Sequence, residues 1–63
     1  MNNTLDIKQW ADMKFQENLS TIRAYITDGW TVKDAYHNVM DSSTLGAGYK
    51  AQMRQELGMS IFD

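Results

Sequence analysis

Six apolar residues in the first half of the chain, Ile7, Ala11, Phe15, Leu19, Ile22 and Ile26, recur at steps of four, four, four, three and four. At about 100° per residue these positions share a helical stripe roughly 120° wide, whereas a strand would need alternation by two. No proline interrupts the pattern here or elsewhere, so the strongest helix breaker is missing. Asn3 or Thr4 is placed to cap the start by accepting a backbone N–H, and Asp6 suits the positive helix end. Asp28-Gly29 supplies the stop: Gly29 tolerates the left-handed conformation, and Trp30 follows as the apolar residue that folds back near Tyr25. The expectation is one helix over about residues 4–27; Asn18-Leu19-Ser20-Thr21 is the one stretch polar enough to divide it.

The second half has the same period. Thr31-Val32-Lys33-Asp34 reads as a capping box, with Asp34 in place of the usual Glu or Gln. Val32, Ala35, Tyr36, Val39 and Met40 then occupy i, i+3, i+4, i+7 and i+8, one face of a second helix over 31–41. Asp41-Ser42-Ser43-Thr44 is a polar break of turn formers. Leu45, Tyr49, Met53 and Leu57, spaced by fours, predict a third helix over 44–57. Gly46 and Gly48 weaken its first turn by roughly 1 kcal/mol each relative to Ala, and they read as room for a close helix crossing. Gly58 is the terminator, and Met59-Ser60-Ile61-Phe62-Asp63 forms a short apolar tail. The fold class expected is all-α, a single small three-helix domain over residues 1–63.

Length bounds what such a domain can achieve. Sixty-three residues bury a small core, and domains of this size usually gain a disulfide, a metal or a second subunit. With no cysteine in the chain, disulfides and thiolate zinc sites are excluded. No run of about 18 apolar residues suggests a bilayer span. The opening Met1-Asn2-Asn3-Thr4-Leu5-Asp6 does not read as a secretion signal. A cytoplasmic protein without a membrane partner is therefore expected, and self-association or a protein partner becomes the natural source of added stability.

Residues suited to catalysis do not assemble into a set. His37, the one histidine, shares a helix face with Asp34 and Asp41 at spacings of three and four. A single His with two ordinary carboxylates is a weak zinc site, and a solvated outer face explains the trio more simply. Asp28 to Asp34 lacks the alternating oxygen ligands and closing Glu of a calcium loop. Ser42, Ser43 and Thr44 would need His37 as base, itself oriented by a third group, to act as nucleophiles. Gly46-Ala47-Gly48-Tyr49-Lys50 lacks both the Gly-Lys-Ser/Thr ending and the preceding strand of a phosphate loop. No catalytic residue, metal or cofactor is expected.

Two features remain. Across Thr31 to Leu57, a capped helix, a Ser-Ser-Thr turn and a second helix resemble a helix-turn-helix DNA reader, whose second helix enters the major groove. Thr31-Val32-Lys33-Asp34-Ala35 looks like the opening of such a unit, and Ser43-Thr44-Leu45 like the entry to its recognition helix. The resemblance implies that Ser43 and Thr44 touch phosphates and that Tyr49, Lys50 and Arg54 contact DNA, as in a dimeric transcriptional regulator. Met40 and Asp41 stand where such units usually carry the turn glycine. Over residues 31–58 Lys33, Lys50 and Arg54 are balanced by Asp34, Asp41 and Glu56, while nucleic-acid affinity rests largely on neutralising phosphates.

The second feature is a surplus of apolar side chains. Trp10, Met13 and Ala24 fall outside the main stripe of the first helix, with Glu17 among them, and Ile61 and Phe62 extend past the last helix. Unless Trp10 and Met13 complete the core against the third helix and tail, such groups mark an interaction surface, at which Trp and Met are enriched. The reading that follows is a non-enzymatic adaptor or inhibitor that binds another protein and self-associates, of a kind that would suit a bacterial or phage accessory factor. Trp10, Met13, Trp30, Ile61 and Phe62 are its expected apolar contacts. Nucleic acid is the second choice of partner. With a net charge of −2, acidic steering would favour a basic partner surface and slow association in salt.

Overall fold

The structure, a computed structural model, describes residues 3–60, with side chains from Asp6 onward. Three helices follow in order: α1 (Asn3–Thr27), α2 (Val32–Met40) and α3 (Ala47–Glu56). There is no strand among the described residues. The chain is thus a small all-α fold in which α1 packs more extensively on α2 than on α3.

The caps explain the helix ends. At α2, the Thr31 hydroxyl accepts the Asp34 N–H at 3.1 Å, satisfying one of the orphan donors of the first turn. At the end of α1, Gly29 has φ +109°. There the Trp30 N–H reaches the Tyr25 carbonyl and the Gly29 N–H reaches the Ile26 carbonyl, each at 3.0 Å. These two bonds define a Schellman motif. Gly58, with φ +71°, ends α3 the same way, with bonds from Met59 to Arg54 and from Gly58 to Gln55. The side chains of Asn3 and Thr4, the expected first cap, lie outside those described.

Burial follows the helical stripes. Ala11, Phe15, Leu19 and Ile22 of α1 meet Ala35, Tyr36 and Met40 of α2, Leu45 of the connection and Met53 of α3. Ile22, Met40 and Met53 are fully buried, and each large side chain removed from water contributes about 1.5–3 kcal/mol. Tyr25, Ile26, Val39, Tyr49, Leu57 and Met59 pack around this centre. The Phe15 and Tyr49 rings, 6.2 Å apart, join α1 to α3.

α1 is continuous, as its apolar stripe predicts: the Thr21 hydroxyl donates back to the Glu17 carbonyl at 3.0 Å instead of capping a new helix, and Leu19 is anchored in the core. Three expectations are corrected. α3 begins at Ala47, not at 44, because Gly46 is extended (φ −72°, ψ 172°) and serves as its N-cap. Residues 44–46 are a connection that carries Leu45 into the core, held by the Leu45 N–H donating to the Ser43 hydroxyl at 3.1 Å. Gly46 and Gly48 make no close helix crossing: a Cβ at either position would meet no atom within 4 Å. Ile7 is 68% exposed although it continues the apolar spacing, because it lies at the margin of the stripe, about 60° from its middle, and a full turn before Ala11, the first buried position of α1 among the described residues.

Candidate functional surface

The geometry of α1 creates the candidate site. Its 25 residues extend about 37 Å, while the 9 and 10 residues of α2 and α3 extend only about 14–15 Å each. Two short helices laid on one stripe leave the opposite side of the long one uncovered. Trp10 projects about 120° and Met13 about 180° from the middle of that stripe. Accordingly Trp10 is 45% exposed and Met13 58%, so neither completes the core. With Ile7 they form an apolar face on the outside of α1, bordered by exposed Asp6 and Glu17 and half-buried Lys14. Lys14 Nζ and Glu17 Oε1 pair at 3.4 Å, an exposed interaction of little energetic weight.

Trp30 forms a second apolar area. Its ring centroid lies 4.6 Å from that of Tyr25, yet the indole keeps 41% of its surface in solvent. Tyr25 is about 22 Å along the helix axis from Trp10, so the areas are separate. The remaining interface candidates, Ile61 and Phe62, lie outside the described residues. Ile7 continues the core spacing, and only its position at the stripe margin marks it for this surface.

The residues of the DNA-reader resemblance are differently disposed. Ser43 is half-buried. Its hydroxyl accepts from Asn18 Nδ2 at 3.3 Å and from the Leu45 N–H, a long-range link between α1 and the connection that no local sequence signal announces. Thr44 is exposed and precedes α3. Tyr49 is turned toward Phe15. Arg54 lies 5.8 Å from the Tyr36 ring centroid and donates to the Ser60 carbonyl at 3.1 Å. Lys50 is half-buried one turn before Arg54 on α3.

His37 Nδ1 lies 3.2 Å from Asp41 Oδ1, with both side chains substantially exposed, and the imidazole meets the Tyr36 ring edge-on at 5.1 Å. The described residues hold no group of three metal-ligating side chains. Shallow hollows lie between some of the described residues. One of about 170 Å³ is lined by Ala51, Arg54, Gln55 and Met59. A broader depression of about 480 Å³, lined by Lys8, Asp12, Gly48, Tyr49 and Gln52, lies open to water. No described helix is long and apolar enough to cross a membrane. No family model, curated protein or solved structure matches the chain.

Proposed function

We propose that this chain is a non-enzymatic adaptor or inhibitor that works by binding protein, including further copies of itself. The exposed row Ile7, Trp10 and Met13 on α1 carries the reading. Leaving an indole and a thioether in water forgoes burial worth about 25 cal/mol per Å² of apolar surface. A monomer gains nothing from the arrangement, whereas an assembly does. Trp10 and Met13 are also the residue types that anchor interfaces, the one large and rigid, the other adaptable to an irregular partner. The separate Trp30 area leaves a place for a different protein when α1 is occupied. Binding on such a surface needs no cofactor, and the compartment that fits it is the cytoplasm.

Sedimentation over a range of concentrations tests the proposal. Wild type should associate at tens of micromolar. A Trp10→Ala/Met13→Ala variant should associate at least tenfold more weakly while keeping its helical circular dichroism. A strict monomer with the same indole fluorescence at every concentration would overturn self-association. For a different partner, capture from the native host should be lost in Trp30→Ala or in the α1 variant. The competing helix-turn-helix regulator predicts sub-micromolar binding to duplex DNA that weakens steeply with salt and is abolished in Lys50→Glu/Arg54→Glu. That result would displace the protein-binding reading.

A further inference from the structure

The outer face of α1 has a charge and shape pattern that is complementary to itself when one copy is reversed. Trp10 is the centre of the row. Asp6 and Lys14 lie four residues to either side of it, and Ile7 and Met13 three residues to either side. If a second α1 runs antiparallel with Trp10 level with Trp10, each position i comes level with position 20 − i. Asp6 of one copy then stands level with Lys14 of the other, and Ile7 with Met13, and both pairings occur twice. A parallel pair would instead set Asp6 beside Asp6 and Lys14 beside Lys14. The same patch meeting itself through a two-fold axis is the defining property of the commonest kind of homodimer.

We infer that the outer face of α1 is the seat of a second copy of this chain, docked antiparallel about a two-fold axis at Trp10. The inference rests on the self-association proposed above and adds its partner face, direction and register. The two indoles meet at the centre. The two Asp6–Lys14 pairs, about 40° to either side of Trp10 around the helix, face each other across the seam about one turn above and below them. Ile7 and Met13, about 60° to either side, form its lateral edges. Lys14 already faces Glu17 of its own helix at 3.4 Å, so in the dimer its ammonium lies between two carboxylates. The overlapping stretch is the N-terminal half of α1. Beyond it each helix carries its own α2 and α3 on the buried stripe, turned away from the contact.

Charge reversal reads the register. Asp6→Lys and Lys14→Asp should each weaken dimerisation about tenfold, since two symmetry-related pairs become repulsive together. The double variant Asp6→Lys/Lys14→Asp should recover most of the wild-type affinity. A second readout uses the absence of native cysteine. Spin labels on Thr21→Cys, an exposed position, should lie about 33 Å apart along the helix axes in the antiparallel dimer. Labels closer than about 20 Å, or a dimer indifferent to both single reversals, would overturn the two-fold at Trp10 and leave self-association standing. A wild-type chain that stays monomeric at all concentrations would remove both.

Discussion

The indole of Trp30 packs on the ring of Tyr25, centroids 4.6 Å apart with planes inclined by 43°, across the turn where Gly29 reverses the chain. The two side chains are the apolar clasp that accompanies a Schellman motif, and they set the direction in which the chain leaves α1 toward α2. At φ +109° Gly29 lies outside the range that side-chain-bearing residues adopt readily. Gly29→Ala should therefore cost about 1–2 kcal/mol. Gly58 at φ +71° is nearer the left-handed helical basin that Asn tolerates, so Gly58→Asn should cost less than Gly29→Asn. Urea unfolding of the four proteins measures the difference.

Gly48 presents the opposite case. It lies in the first turn of α3, its φ is not positive, and a Cβ there meets nothing within 4 Å. Gly48→Ala should raise stability by about 0.5–1 kcal/mol through reduced freedom of the unfolded chain and better helix propensity. In a domain this small that is a rise of several degrees in Tm, measurable by circular dichroism.

At the start of α2, Thr31→Ala removes the hydroxyl that accepts the Asp34 N–H. The expected loss is about 1 kcal/mol. Thr31→Ser should restore most of it, because the capping oxygen returns. Chemical denaturation of the pair separates the cap from any effect of side-chain size.

Met53 is the one fully buried side chain of α3, and no other residue of that helix is buried. Met53→Ala should cost about 2–5 kcal/mol, a loss that leaves so short a chain largely unfolded. Met53→Leu, close in volume, should cost less than about 1.5 kcal/mol. Amide exchange of α3 would report the former as loss of protection and the latter as near wild type.

Much of this architecture is legible in the order of residues because its causes are local. Steps of three and four mark the buried faces of α1 and α2, Thr31 supplies an oxygen three residues before a needy N–H, and Gly29 and Gly58 allow the left-handed turns that stop their helices. The spacing of Leu45 misleads about α3 for a reason that is equally physical. A buried leucine one turn ahead of Tyr49 fits helical periodicity, but an extended Gly46 delivers it to the same core without being helical.

Periodicity names the faces of a helix and leaves open which of them is covered. Spacing alone assigned Ile7 to the stripe and left Trp10 and Met13 undecided between core and surface. Their exposure follows from the lengths of α2 and α3 and from where those helices land on α1, and that placement comes from contacts between residues far apart in the chain. The Asn18–Ser43 hydrogen bond and the Phe15–Tyr49 ring contact are decided in the same way. Local chemistry determined the helices and their ends, and long-range packing determined which apolar residues stay in water.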